Sequence, residues 1–198
     1  MENTFEIFEL TRKIFKFDNN NYIFIYTPPK VGSTTLVTSL RISLGMSYNI
    51  LHIHDDIMLN VLTGINNVTV NDIIKCLSFY GKNIWVIDVY RTPIEKKMSE
   101  FFDKIAPYHF NNSEENIKNY NIKRISNRFN NLFPHLALGD HYIDKYGLIE
   151  PIKFDFEKKY TLQNENNINY IKLRLCDSKN WSSMLSEVFE KEIYIIND

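Results

Sequence analysis

Two stretches of this chain, Tyr22-Ile-Phe-Ile-Tyr26 and Ile84-Trp-Val-Ile-Asp-Val-Tyr90, are nearly continuous runs of apolar and β-prone side chains. Successive residues of a strand point to opposite faces, so a run that stays apolar throughout needs cover on both faces. Such runs predict the buried strands of a mainly parallel sheet with helices packed above and below it.

The intervening segments supply those helices. After the turn at Pro28-Pro29-Lys30-Val31-Gly32, residues Leu36, Val37, Leu40 and Leu44 recur at helical spacing, and Gly45 follows as a stop. Asn49 to His54 reads as a second short strand, and Val70, Ile73, Ile74 and Leu77 mark a helix closed near Gly81. Behind the run ending at Tyr90, Thr92-Pro93-Ile94-Glu95 combines an N-cap, proline at the first helical position and a capping-box glutamate. Ile94, Met98, Phe101, Phe102 and Ile105 then give one apolar face up to Pro107. The stretch from Asn111 to Asn167 is less regular. Ser113 is placed to cap a polar helix with Ile117, Ile125, Phe129 and Leu132 on one side, followed by irregular chain. Tyr170 to Leu175 predicts a further strand, Trp181, Met184, Leu185, Val188 and Phe189 an amphipathic helix, and Ile193 to Ile196 a last strand. Strands alternating with helices predict an α/β three-layer sandwich, and 198 residues without repeat or linker predict one domain, 1–198.

Formal net charge is −1, with no long run of Lys or Arg, so the broad electrostatic attraction of a general nucleic-acid binder is missing. An anionic ligand must be held locally. Cys76 and Cys176 each fall in a segment that reads as buried helix or strand, which predicts reduced core thiols. Met1 to Phe17 lacks the apolar centre of a secretion signal, and no stretch approaches the ~20 apolar residues that span a bilayer, so a cytoplasmic protein without a membrane span is expected.

Ligands in such folds bind at the carboxyl ends of the strands, which directs attention to the loops after Tyr26, His54 and Tyr90. In Pro29-Lys30-Val31-Gly32-Ser33-Thr34-Thr35, Gly32 permits close backbone approach to an anion. The new helix offers its N–H groups, Ser33, Thr34 and Thr35 add hydroxyls, and Lys30 adds the countercharge. A nucleotide-kinase loop places Lys directly after its last glycine; here Lys30 precedes Gly32 by two residues. This order resembles the 5′-phosphosulfate loop of sulfotransferases that use phosphoadenosine phosphosulfate (PAPS), whose pattern is Pro-Lys-x-Gly-Ser/Thr-Thr after a strand. That family holds the nucleotide 3′-phosphate with an Arg at a strand end and a Ser eight residues later, and Arg91 and Ser99 match in spacing and context.

The sequence is also similar, over about 22–189, to the sulfotransferase-like capsular polysaccharide synthesis proteins. Lys30 to Arg41, His52 and His54, Tyr142 to Tyr146, Phe154 to Tyr160 and Leu173 to Asp177 carry that likeness. Thr92 stands where the sulfotransferases usually have Asp, and Cys176 where the second family commonly has Glu. The resemblance implies a P-loop-containing nucleoside triphosphate hydrolase-like fold of the sulfotransferase type. It also implies transfer of a sulfuryl group from PAPS to a hydroxyl acceptor such as a carbohydrate.

That chemistry needs a base and positive charge at the departing phosphate oxygen. Lys30 is the candidate for the charge, His54 the first choice of base and His52 the second, since imidazole titrates near neutral pH. Asp55 and Asp56 are either bases, orienters of a histidine, or a helix cap. No metal cluster is expected. Lys118, Lys123, Arg124 and Arg128 are either contacts for an anionic acceptor or a solvated helix face. Two alternatives to the sulfotransferase stay open: a kinase-type enzyme using the cradle for ATP, and a catalytically inactive PAPS-binding module.

Overall fold

In the computed structural model, residues 7, 9–11, 19–64, 66–110, 113–118, 120–132 and 154–196 are described. The elements run β1 (Asn21–Tyr26), α1 (Ser33–Leu44), β2 (Asn49–Ile53), α2 (Asp56–Thr63), α3 (Val70–Phe79) and β3 (Asn83–Tyr90). After these come α4 (Pro93–Phe110), α5 (Glu114–Lys118), α6 (Ile122–Leu132), β4 (Tyr160–Glu165), β5 (Ile168–Arg174) and α7 (Trp181–Phe189). The chain divides into two compact units, Met1–Tyr90 with His141–Asp198, and Arg91–Asp140.

The first unit is built on a five-stranded sheet in the order β2-β1-β3-β5-β4. The first four of these strands are parallel, and β4 pairs antiparallel with β5 at the edge. Strand alternation divides the core in two. Ile23 and Ile25 of β1, Ile87 and Val89 of β3, and Ile171 and Leu173 of β5 pack with Leu36, Val37 and Leu40 of α1 and Trp181 and Leu185 of α7. Tyr22, Phe24, Ile84, Val86, Ile168 and Tyr170 face the other way, onto Leu59 of α2 and Ile73, Ile74 and Leu77 of α3. The continuous apolar runs are therefore covered on both sides by helices, as their composition requires.

Three local expectations are corrected. Residues 193–196 join no strand. Ile193 N–H bonds to Ser186 Oγ (2.9 Å) and Ser182 Oγ bonds to Ile193 O (2.6 Å), while Tyr194 and Ile196 N–H bond to Ser43 and Ser39 Oγ (2.9 and 3.0 Å). Serines of α1 and α7 thus satisfy a backbone that a sheet partner would otherwise satisfy. Tyr160–Glu165, read as irregular, is the edge strand; Asn166, at φ 55, and Asn167 turn it into β5. Asparagine tolerates this left-handed conformation well, which suits it to a two-residue hairpin. Cys176, expected in the core, is exposed in the 3-10 turn Leu175–Asn180, while Cys76 is buried in α3 as read.

In the second unit, the 93–105 helix extends through Pro107 to Phe110. Thr92 opens it: its Oγ1 donates to Glu95 Oε2 (2.6 Å) and its carbonyl accepts from Lys96 N–H (2.9 Å). The polar helix expected after Ser113 is two helices. Ser113 Oγ accepts from Asn116 N–H (3.3 Å) at α5, and Asn121 Oδ1 accepts from Arg124 N–H (3.0 Å) at α6. Of the residues assigned to the apolar face of α4, Phe101 is buried, whereas Ile94, Met98 and Phe102 are exposed. No described helix is long and apolar enough to cross a membrane.

Candidate functional site

Because β2, β1 and β3 are parallel and adjacent, their carboxyl ends lie side by side, and the loop after β1 sits between the other two. Thr27 welds the three together. Its N–H bonds to Ile53 O (3.2 Å), its Oγ1 donates to Val89 O (3.1 Å) and accepts from Val89 N–H (2.9 Å), and the residue is wholly buried. The hydroxyl carries the β1–β3 ladder one step past the end of the strand, so the turn that follows starts from a fixed point.

That turn uses the left-handed region twice, at Lys30 (φ 67) and Gly32 (φ 80). For a side-chain-bearing residue this conformation costs about 1–2 kcal/mol, so Lys30 is held there by its surroundings. Val31 between them is buried, which pins the loop to the core. Gly32 is also constrained sterically. A Cβ there would stand 2.9 Å from Leu175 Cδ1 and 3.4 Å from the Trp181 ring. Leu175 and Trp181, from the far end of the sequence, form the floor under the loop. The Trp181 Nε1 hydrogen bond to Arg174 O (3.2 Å) holds that floor in place.

Helix α1 begins on Gly32 with no side-chain cap and no acidic residue in its first turn. The positive end of its dipole thus meets no carboxylate of its own first turn, and its leading N–H groups bond to no cap side chain. Ser33 is buried, Thr35 half-buried and Thr34 exposed. Lys30, Gly32, Ser33, Thr34 and Thr35 therefore form one contiguous turn, and the donor set suits a phosphate or sulfate ester.

His54 stands just past β2, with Nδ1 2.8 Å from Thr27 O. A carbonyl oxygen only accepts, so Nδ1 carries the proton and the neutral ring has its lone pair on Nε2. His52 lies two residues earlier on the same face, its ring edge-on to His54 with centroids 4.6 Å apart. Burial, then His54 and then Arg41, lower its pKa to about 4, and its Nε2 is buried without a hydrogen-bond partner. At neutral pH His52 is an uncharged packing partner of His54 and a weak base. Asp55 and Asp56 serve as helix caps: Asp55 Oδ1 accepts from Met58 N–H (2.8 Å) at the start of α2, and Asp56 Oδ1 from Val70 N–H (2.9 Å) at the start of α3.

Arg91 and Ser99 belong to the second unit, Arg91 immediately after β3 and Ser99 in the second turn of α4, both half-buried. The Tyr142 to Tyr146 stretch lies outside the described residues. Among the described residues no three His, Cys, Asp or Glu side chains converge as metal ligands.

Three features at this end of the sheet escaped the sequence reading. Thr27, between a strand and two prolines, carries no sequence signal that marks it. Leu175 reads only as the end of a strand and Trp181 only as part of an amphipathic helix. Asp88 and Lys172, directly paired in register across β3 and β5, form a buried ion pair (Nζ to Oδ2 3.8 Å). Burial lowers the Lys172 pKa, and the Asp88 carboxylate partly opposes that shift. Charged residues inside apolar runs were the available signal. Next to them, the Arg174 guanidinium bonds Asp177 Oδ2 (2.6 Å) and lies over the Phe154 and Phe156 rings, 4.7 and 5.0 Å from their centroids.

The chain matches no known protein-family model, no curated protein and no solved structure.

Proposed function

We propose that this protein is a PAPS-dependent sulfotransferase of the P-loop-like kind, moving a sulfuryl group to a hydroxyl acceptor such as a carbohydrate. The observation that carries the reading is the uncapped amino terminus of α1, set on Gly32 and preceded by Lys30 in a strained conformation. Left-handed conformations at non-glycine residues concentrate where a backbone must be held for a ligand. The donors fit the cofactor's 5′ end: Lys30 with Gly32, Ser33, Thr34 and Thr35 would hold the phosphosulfate. The 3′-phosphate is assigned to Arg91 and Ser99 on their spacing in the sequence.

PAPS, when bound, supplies the activated sulfuryl group. Lys30 offsets the negative charge that grows on the phosphate oxygen as the bond to sulfur breaks. His54, its Nδ1–H committed to Thr27 O, accepts the acceptor hydroxyl's proton at Nε2 as the new oxygen–sulfur bond forms. His52 stays neutral beside it, so a protonated His54 meets no second positive imidazole.

Titration calorimetry with adenosine 3′,5′-bisphosphate tests the binding half of the proposal. The wild type is expected to bind in the micromolar range, and Lys30→Ala to lose about 1.5–3 kcal/mol, a roughly ten- to hundredfold weakening, as expected for a charge-assisted hydrogen bond. No heat from the wild type sinks the reading. Magnesium-dependent ATP binding without bisphosphate binding would identify the kinase-type alternative instead. Bisphosphate binding with no sulfuryl transfer, unchanged by His54→Ala, would identify an inactive binding module.

A further inference from the structure

Strand β4 forms one edge of the sheet, pairing with β5 on its inner side and, among the described residues, with no strand on its outer side. Which of its backbone groups face outward follows from β5. Asn167 O accepts from Ile84 N–H of β3 (3.0 Å), so the odd-numbered residues that follow turn their backbone groups to β3. Ile168, Tyr170 and Lys172 turn theirs to β4, where Glu165, Gln163 and Thr161 are the partners. The N–H and C=O groups of Tyr160, Leu162 and Asn164 therefore point away from the sheet. Proteins usually blunt such an edge with proline, lysine or a bulge. Tyr160–Glu165 contains no Pro, Lys or Arg, and its register with β5 runs without a break. Leu162 is 40% exposed, and Asn164 and Glu165 are exposed beside it.

We propose that β4 pairs antiparallel with β4 of a second copy of this chain, joining two sheets into one across a two-fold axis at Leu162. The strand is self-complementary in this register. Tyr160 faces Asn164 of the second copy, Leu162 faces Leu162, and Asn164 faces Tyr160, which engages every outward backbone group of the strand. Centring the axis on Thr161 or Gln163 leaves one outward residue of each copy without a strand partner. The favoured register also brings Lys159, in the turn just before the strand, to Glu165 of the second copy, and symmetry does so twice. An unrelated strand would satisfy the backbone groups without this pairing of charges. One strand pair is a small interface, so the dimer is weak and forms as concentration rises. It engages neither the Lys30 loop nor His54, and its test is independent of the proposed chemistry.

Sedimentation velocity of the full chain is expected to show a monomer–dimer equilibrium with a Kd on the order of 10–100 µM, weakening as salt rises. Leu162→Pro removes an outward N–H and no bond to β5, so it is expected to fold like the wild type and to stay monomeric up to about 1 mM. Should it fail to fold, Leu162→Lys sets like charges face to face at the axis and is expected to dimerise at least about tenfold more weakly. Glu165→Lys is expected to weaken the dimer about three- to thirtyfold, and Lys159→Glu with Glu165→Lys to return it to within about threefold of the wild type. In hydrogen exchange, the Leu162 and Asn164 amides are expected to slow as protein concentration rises, while those of Thr161 and Gln163 stay slow throughout. The proposal is overturned if the wild type is monomeric up to about 1 mM or if a folded Leu162 variant dimerises as the wild type does. It is also overturned if the charge-exchanged double variant is no better than Glu165→Lys, or if the Leu162 and Asn164 amides exchange equally fast in monomer and dimer.

Discussion

Replacing Thr27 with valine removes one hydroxyl and almost nothing else, since the two side chains have nearly the same shape. The hydroxyl makes two hydrogen bonds to one partner, accepting from Val89 N–H at 2.9 Å and donating to Val89 O at 3.1 Å. Thr27 and Val89 are both fully buried, so water does not replace what is lost. Each of the two buried backbone groups left unsatisfied costs about 1–3 kcal/mol, which makes Thr27→Val destabilising by about 2–6 kcal/mol. At about 2–4 °C per kcal/mol for a domain of this size, the melting temperature should fall by roughly 4–24 °C. Thr27→Ser keeps the hydroxyl and loses one methyl, a loss of about 1 kcal/mol. Urea and thermal denaturation of the three proteins followed by circular dichroism provide the assay. A Thr27→Val protein within about 0.5 kcal/mol of the wild type, or a serine variant as damaged as the valine one, would refute the claim that this hydroxyl extends the β1–β3 ladder.

Two further outcomes are expected. Asp88→Asn leaves Lys172 buried without its carboxylate and should cost about 3–5 kcal/mol, whereas Asp88→Leu with Lys172→Met, which removes both charges, should cost much less; denaturation midpoints give the comparison. His52 titrates at about 4 when folded and near 6.5 when unfolded, so the unfolded chain binds more protons between those values. The stability His52 contributes is present above pH 6.5 and is lost as pH falls towards 4, by at most about 3 kcal/mol. Melting curves from pH 7 to 4 should be visibly flatter for His52→Gln, and an unchanged slope would count against a buried neutral imidazole.

The layered architecture was legible because its signals are local. Tyr22 to Tyr26 and Ile84 to Tyr90 are apolar on both faces, and only a sheet covered on both sides accommodates that. The loop at Lys30 to Thr35 was legible for the same reason, since glycine, hydroxyls and a following helix are neighbours in the chain. The edge strand was not. Tyr160–Glu165 is half solvated, short and polar, and its only cue was the Asn166-Asn167 turn. Ile193 to Ile196 misled in the opposite direction, being apolar and β-branched enough for a strand. Four serine hydroxyls on two helices claimed its backbone instead.

The amino-acid order alone indicated the four parallel strands, the helices that cover them at α1, α3 and α7, and where the glycine turn falls, because periodicity and turn chemistry act over a few residues. It could not say that Thr27 would bond Val89, that Leu175 and Trp181 would lie beneath Gly32, or that Asp88 would meet Lys172. These partners are separated by dozens to well over a hundred positions and are brought together only when the parallel strands fall into register. The proton on His54 Nδ1 and the weakened basicity of His52 were decided at the same stage, since a carbonyl acceptor and burial exist only in the folded chain.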